Sequence, residues 1–356
     1  MLRFAHMLKT GLENRSHSVR MVSPQPVAGA LPLAGRDFRK WLGYADKLIC
    51  FPRALKKAAR EADVIHICDH SNAFYSNYLK GRPHVVTCHD LLAVRGALGE
   101  ETDCPASAPG RVLQRWILNG LKSADAVACV SSYTKQDLER LIQGKGPLVR
   151  LVANGINHSY HRLPEAETGR RLRRLGLDGR TPFILHVGSG LRRKNREGIL
   201  RVFKLIKERW DGLLVLAGER LSAELHEYAR VEGISGRIKE ISGASNDDLE
   251  GLYNGAHALF FPSRYEGFGW PVIEAQACGC PVVCSSRCSL PEVAGDAAFI
   301  RDINDENGFA DDLVKLSNAH ERSVLMQKGF ANIQRFQTER MLDAYVELYR
   351  LIARAA

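Results

Sequence analysis

The chain has 356 residues, 45% of them hydrophobic and 25% charged, with a formal net charge of +10. That length suits about two domains with a sizeable core, and no apolar run approaches the roughly 18 residues needed to span a bilayer. The nine cysteines fall mostly inside apolar segments at irregular spacing, which argues against a secreted disulfide framework and for free thiols in a reducing cytoplasm.

The positive excess is compatible with nucleic acid, anionic lipid or a phosphate-bearing substrate, and equally with solubility alone. One cluster stands out, Arg170, Arg171, Arg173 and Arg174, and no nucleic-acid-binding signature accompanies it. At the N-terminus His6, Lys9, Glu13, Asn14 and Arg15 interrupt any signal-peptide core.

In chain order, residues 7–12 read as the end of a helix and 19–22 as a strand. Pro52 opens a helix over 53–61. Apolar, often β-branched runs predict strands at 63–68, 84–88, 126–130 and 148–152, with helices at 111–121 and 131–141. Ser131 or Ser132 suits the N-cap of the second, and Asn154-Gly155 marks a turn. A polar, arginine-rich stretch over 157–182 reads as linker plus one helix.

The alternation then restarts. Strands are expected at 183–187, 213–217, 238–241, 258–261 and 281–284, and helices at 196–207, 221–231, 247–254 and 271–278. Weaker structure follows to 305, then a largely helical tail over 308–353. Buried runs alternating with helices imply parallel sheets covered on both faces. Two such blocks imply two doubly wound domains facing across a cleft, with ligands at the carboxyl ends of the strands.

The densest chemistry lies at 263–274, Ser-Arg-Tyr-Glu-Gly-Phe-Gly-Trp-Pro-Val-Ile-Glu. A glycine loop here joins a strand end to a helix N-terminus, where exposed N–H groups and the positive dipole end favour an anion. Gly267 and Gly269 permit close backbone approach. Glu274, about one turn into the helix, is badly placed for phosphate and well placed to accept hydrogen bonds from ribose or sugar hydroxyls. The plainer alternative is a turn followed by a helix with an N-terminal acid, and the combination fits it poorly.

Glu266 and Glu274, with seven residues between them, and the following Ala-Gln-Ala-Cys-Gly-Cys-Pro-Val-Val at 275–283 resemble the paired-glutamate motif of family-4 retaining glycosyltransferases of GT-B fold. The resemblance implies that Glu266 contacts the donor sugar, Glu274 the ribose, and the backbone of Gly267, Phe268 and Gly269 the sugar and diphosphate. Residues 186–195, His-Val-Gly-Ser-Gly-Leu-Arg-Arg-Lys-Asn, resemble the family's diphosphate clamp at Gly188, with Lys194 the best match and Arg193 its assistant. Some members carry an arginine directly after that glycine; here it is Ser189, which leaves the division of labour among Arg192, Arg193 and Lys194 open. A solvated basic turn is the alternative. Residues 85–90, Val-Val-Thr-Cys-His-Asp, resemble the segment whose histidine faces the donor sugar, which implies that role for His89; a turn with a capping aspartate stays open. Ser242 falls where such enzymes build the base pocket from backbone groups.

The expected organisation is an acceptor-side Rossmann-like domain over 1–160, a nucleotide-sugar-binding domain over 161–337, and a final helix over 338–356 packing back on the first. The family's opening strand and glycine loop are missing before the first helix. The expected function is retaining transfer of a sugar from a nucleotide-diphosphate donor to a glycan, lipid-linked or small-molecule acceptor in cell-surface polysaccharide synthesis. Neither a metal nor a cofactor is expected. The place is the cytoplasm, with peripheral contact to the inner membrane face open and no nucleic-acid partner. The alternative is a non-catalytic nucleotide-sugar-binding protein. Zinc at Cys278, Cys280, Cys284 and Cys288 lacks C-x-x-C pairs. A dinucleotide-dependent oxidoreductase would need the third glycine of G-x-G-x-x-G, and a pyridoxal-dependent phosphorylase a Schiff-base lysine that the sequence does not offer.

Overall fold

The structure, a computed structural model, describes residues 2–25, 43, 46–144 and 146–355. It divides into two compact units, one of Met1–Val130, Thr134–Val152 and Met341–Ala356, the other of Ser131–Tyr133 and Ala153–Arg340.

Among the described residues, the first unit holds a parallel sheet of β1 (Ile65–Ile67), β2 (His84–Cys88), β3 (Ala126–Cys129) and β4 (Leu148–Leu151), in that spatial order. β2 and β3 are buried along their whole length, as central strands covered on both faces must be. Helix Ala108–Lys122 packs on a 3-10 segment, His70–Tyr78, with Gly120 pressed to the Ala73 carbonyl; a Cβ there would lie 2.2 Å from that oxygen. The first helix, Leu2–Glu13, buries Phe4, Leu8 and Leu12 on one stripe. From helix Thr338–Ala355, Leu342 closes on Gly11, and Tyr345 and Tyr349 enter a buried polar chain. There His66 lies 2.6 Å from the Tyr349 hydroxyl and 2.7 Å from that of Thr87, which lies 2.8 Å from that of Tyr345.

The strand expected at 19–22 does not form. Residues 17–25 have no regular structure, and Met21 and Val22 are exposed: an apolar alternation without a sheet partner stays a loop. The His70–Tyr78 segment and a short helix, Leu92–Ala97, were not anticipated.

The second unit holds β5 (Phe183–Gly188), β6 (Leu213–Gly218), β7 (Ile238–Ile241), β8 (Ala258–Phe261), β9 (Val282–Ser285) and β10 (Ala298–Arg301). All pair in parallel, in the order β10-β9-β8-β5-β6-β7. The chain runs outward from β5 through β6 to β7, then returns to lay β8 on the other side of β5. The order therefore reverses between β5 and β8, and a doubly wound sheet opens its ligand crevice at the carboxyl ends of such a pair. β10 and helix Leu290–Ala294 occupy the stretch expected to be weakly structured. β10 escapes the pattern because its four residues are only half-buried, as on an edge. No described helix is long and apolar enough to cross a membrane.

Candidate active site

Both loops of interest leave the reversal point of the second unit. After β5, a turn and one 3-10 turn, Arg192–Lys194, lead to Asn195, which takes φ 55° and starts helix Arg196–Ile206. After β8, residues 262–269 lead into helix Trp270–Ala277. The loops are stitched together by Asn195 Nδ2 donating to the Pro262 carbonyl (3.1 Å) and the Arg264 N–H to the Arg193 carbonyl (2.7 Å).

That stitching buries Lys194 against Glu266. The ammonium donates to Oε1 at 2.5 Å, and Arg193 Nη1 donates to Oε2 and to the Tyr265 carbonyl, both at 3.3 Å. The ammonium also lies 4.7 Å from the centre of the Phe261 ring. Burial pulls its pKa below the usual lysine value, Glu266 pulls back up, and Arg193 adds to the lowering. An incoming anion favours the charged ammonium and relieves that burden.

Beside the pair, Gly269 caps the helix with φ 101°, a conformation that only glycine adopts without strain; a Cβ would also meet Leu290 at 2.8 Å. The Ser289 hydroxyl lies 2.9 Å from the carbonyls of both Glu266 and Phe268, which fixes the loop. The Phe268 ring packs inward on Phe336 and Trp270, so the backbone of this residue is what it can offer a ligand. Gly267 is half-buried in the same turn. Glu274 is buried within the helix and accepts a hydrogen bond from the Tyr253 hydroxyl at 2.8 Å. Burial first, then Glu274, pushes the Tyr253 pKa well above the usual tyrosine value, so it stays a donor.

Gly188 ends β5 against this cluster. A Cβ there would lie 3.2 Å from His186 Nε2 and 3.3 Å from Lys194 Cδ, and its carbonyl accepts from the buried Arg196 at 2.9 Å. His186 is fully buried with Nδ1 3.1 Å from the Phe260 carbonyl, so Nδ1 carries the proton. Burial pushes its pKa down to about 3. Ser242 follows β7 on the far edge of the sheet and is exposed, two strands from β5.

His89 belongs to the first unit, where it follows β2 and is buried beneath Phe4, ring centres 5.0 Å apart. Its Nε2 lies 2.9 Å from the Cys68 carbonyl, so that nitrogen carries the proton and Nδ1 keeps its lone pair. Burial pushes its pKa down to about 4. Asp90 turns onto the N–H of Leu92 at 3.1 Å, the capping part that a turn reading assigns to it.

Sequence reasoning missed Tyr253, Phe261, Ser289 and Arg196. Tyr253 and Phe261 occupy ordinary apolar positions of a helix and a strand, and only the fold turns one to Glu274 and the other beneath Lys194. Burial pushes the thiols of Cys280 and Cys284 up to about 12 and raises that of Cys278. Among the described residues one trio, His158, Asp247 and Glu250, brings metal-ligand atoms within 4.8 Å of one another. Glu250 there is engaged by Arg171 at 2.8 Å and the His161 N–H at 3.1 Å.

Comparison with known proteins agrees with this architecture. Residues 170–329 match the family described as glycosyl transferases group 1, and residues 1–160 match glycosyltransferase family 4. The O-antigen chain mannosyltransferase B of Escherichia coli is 30% identical over 262 residues, 70% of this chain and 67% of that protein. Sucrose-phosphate synthase from Thermosynechococcus elongatus superposes with a TM-score of 0.78 at 20% identity, covering 99% of this chain and 93% of that one. Anabaena HepE, solved in complex with UDP and glucose, superposes with a TM-score of 0.71 at 19% identity, covering 95% and 88%. The chain thus belongs to the group 1 and family 4 glycosyltransferases and has their GT-B fold.

Proposed function

We propose that this glycosyltransferase moves a sugar, with retention at the anomeric carbon, from a nucleotide-diphosphate donor to a glycan or lipid-linked acceptor of a cell-surface polysaccharide. The observation that carries the reading is the buried Lys194–Glu266–Arg193 cluster at the β5/β8 reversal. A leaving diphosphate needs positive charge that is already in place. Lys194, Arg193 and the N-terminus of helix Trp270–Ala277 supply it, so the proposal calls for no metal.

Glu266 has both oxygens engaged by cations, which suits it to orient hydroxyls rather than to attack carbon. The leaving phosphate is then the natural acceptor of the acceptor's proton. Glu274, aligned by Tyr253, takes the ribose hydroxyls. His89, neutral with a lone pair at Nδ1, accepts a hydrogen bond from a sugar hydroxyl. The likeness to an O-antigen chain mannosyltransferase supports a polysaccharide acceptor. We place the enzyme in the cytoplasm with peripheral contact to the membrane face.

Thermal shift against a panel of nucleotide sugars identifies the donor, since a ligand bound to the fold stabilises it. NMR of the product anomer then reads the stereochemistry. Inversion would refute retention, and donor binding without turnover on any acceptor would favour a binding protein instead.

A further inference from the structure

Helix Ala108–Lys122 of the first unit has a face that the other described residues leave exposed. Its inner side buries Ile117, Leu118, Gly120 and Leu121. Its outer side presents Arg111, Val112, Arg115, Trp116, Asn119 and Lys122. Val112 is 49% and Trp116 50% exposed, one turn apart on the same stripe. The helix carries three cations and no carboxylate. Among the described residues, no carboxylate pairs with Arg111, Arg115 or Lys122. The nearby Arg95 and Arg140, by contrast, are bound to Glu100 and Asp137.

The surface extends past the helix end. The Ser123 hydroxyl donates to Asn77 at 3.3 Å, and the Lys56 ammonium lies 5.6 Å from the ring centre of the neighbouring Tyr78. Lys56 sits on helix Phe51–Ala59, which likewise holds three cations and no carboxylate.

We infer that this face docks on the anionic headgroups of a lipid bilayer. Cations without carboxylate partners are drawn to a negative surface, and an indole with an aliphatic neighbour settles at headgroup depth. A nucleic acid would engage the cations and leave Val112 and Trp116 in water, so the mixture favours lipid. The inference rests on the peripheral-membrane reading above and on none of the catalytic assignments.

The test is co-sedimentation of the full chain with vesicles of phosphatidylcholine alone or with phosphatidylglycerol added, at low and high salt. Binding is expected only to the anionic vesicles, and weaker in high salt. Arg111→Ala/Arg115→Ala/Lys122→Ala should lower partitioning roughly a hundredfold. Trp116→Ala should weaken what binding survives in high salt. Both variants keep the melting temperature and the donor-induced thermal shift, which separates lost docking from lost fold and from failure of the transfer reading. Failure to bind anionic vesicles, undiminished binding by the triple variant, or binding to RNA with none to vesicles would overturn the inference.

Discussion

Replacing Lys194 with methionine keeps the volume of a buried side chain and removes its charge. The ammonium sits 2.5 Å from Glu266, and without it Arg193, at 3.3 Å, is the carboxylate's remaining ion-pair partner among the described residues. Removing one partner of a buried pair costs about 3–5 kcal/mol, chiefly because the other charge stays buried. Arg193 is part-exposed and offsets some of this, so about 2–3 kcal/mol is expected. For a unit of this size that lowers Tm by roughly 4–12 °C. Transfer should fall further, by about 10²–10³ in kcat, as for loss of one preorganised stabiliser of developing charge. The second variant, Lys194→Met/Glu266→Gln, removes the orphaned charge and should recover most of the Tm and none of the rate. Thermal unfolding and single-turnover transfer read the two quantities separately. If the single variant loses stability and keeps its rate, or if the double variant regains the rate, the pair is structural and the reasoning fails.

Acid should destabilise the fold through three buried histidines. Burial pushes His66 and His186 down to about 3 and His89 to about 4. Each is neutral in the fold and protonated in the unfolded chain below about pH 6.5, so the unfolded chain binds more protons and stability falls as pH drops through 6.5 towards 4. Near pH 5 each contributes a slope of about 1.4 kcal/mol per pH unit; equal denaturant stability at pH 7 and pH 5 would contradict this. Gly269→Ala should cost about 1–3 kcal/mol at φ 101° and raise the donor KM more than it lowers kcat, which steady-state kinetics will show. Tyr253→Phe leaves Glu274 short of a hydrogen bond and should weaken donor binding about tenfold by calorimetry; unchanged affinity would take Glu274 out of the donor site.

How much of this was legible depends on burial. Strands such as β2, with every residue inside, announce themselves as runs like His-Val-Val-Thr-Cys. β10 does not, because its apolar run, Ala-Phe-Ile, is short, half-buried at the sheet edge and closed by Arg301. The segment at 19–22 shows the converse error, a strand-like run with nothing to pair with. The two glycine loops were readable because close approach to a ligand restricts residue type. Their meeting was not, because it follows from β8 returning beside β5, a fact of sheet order. Tyr253 and Ser289 were silent for the same reason, since their partners lie 20 or more residues away.

The first unit takes one segment, Met341–Ala356, from the far side of the second unit. Thr87 and Tyr345 are 258 residues apart, and His66 and Tyr349 are 283. Contacts of such separation form late, since loop closure must come before the packing that rewards it. During synthesis the first unit therefore begins before the second and is completed after it. Gly11 waits for Leu342, and His66 and Thr87 wait for their tyrosine hydroxyls, until the whole second unit has been made. The second unit lies within one continuous stretch apart from Ser131–Tyr133 and has no such delay. Removing Met341–Ala356 should thus reach back past the whole second unit and leave the first unit's sheet without its closing helix.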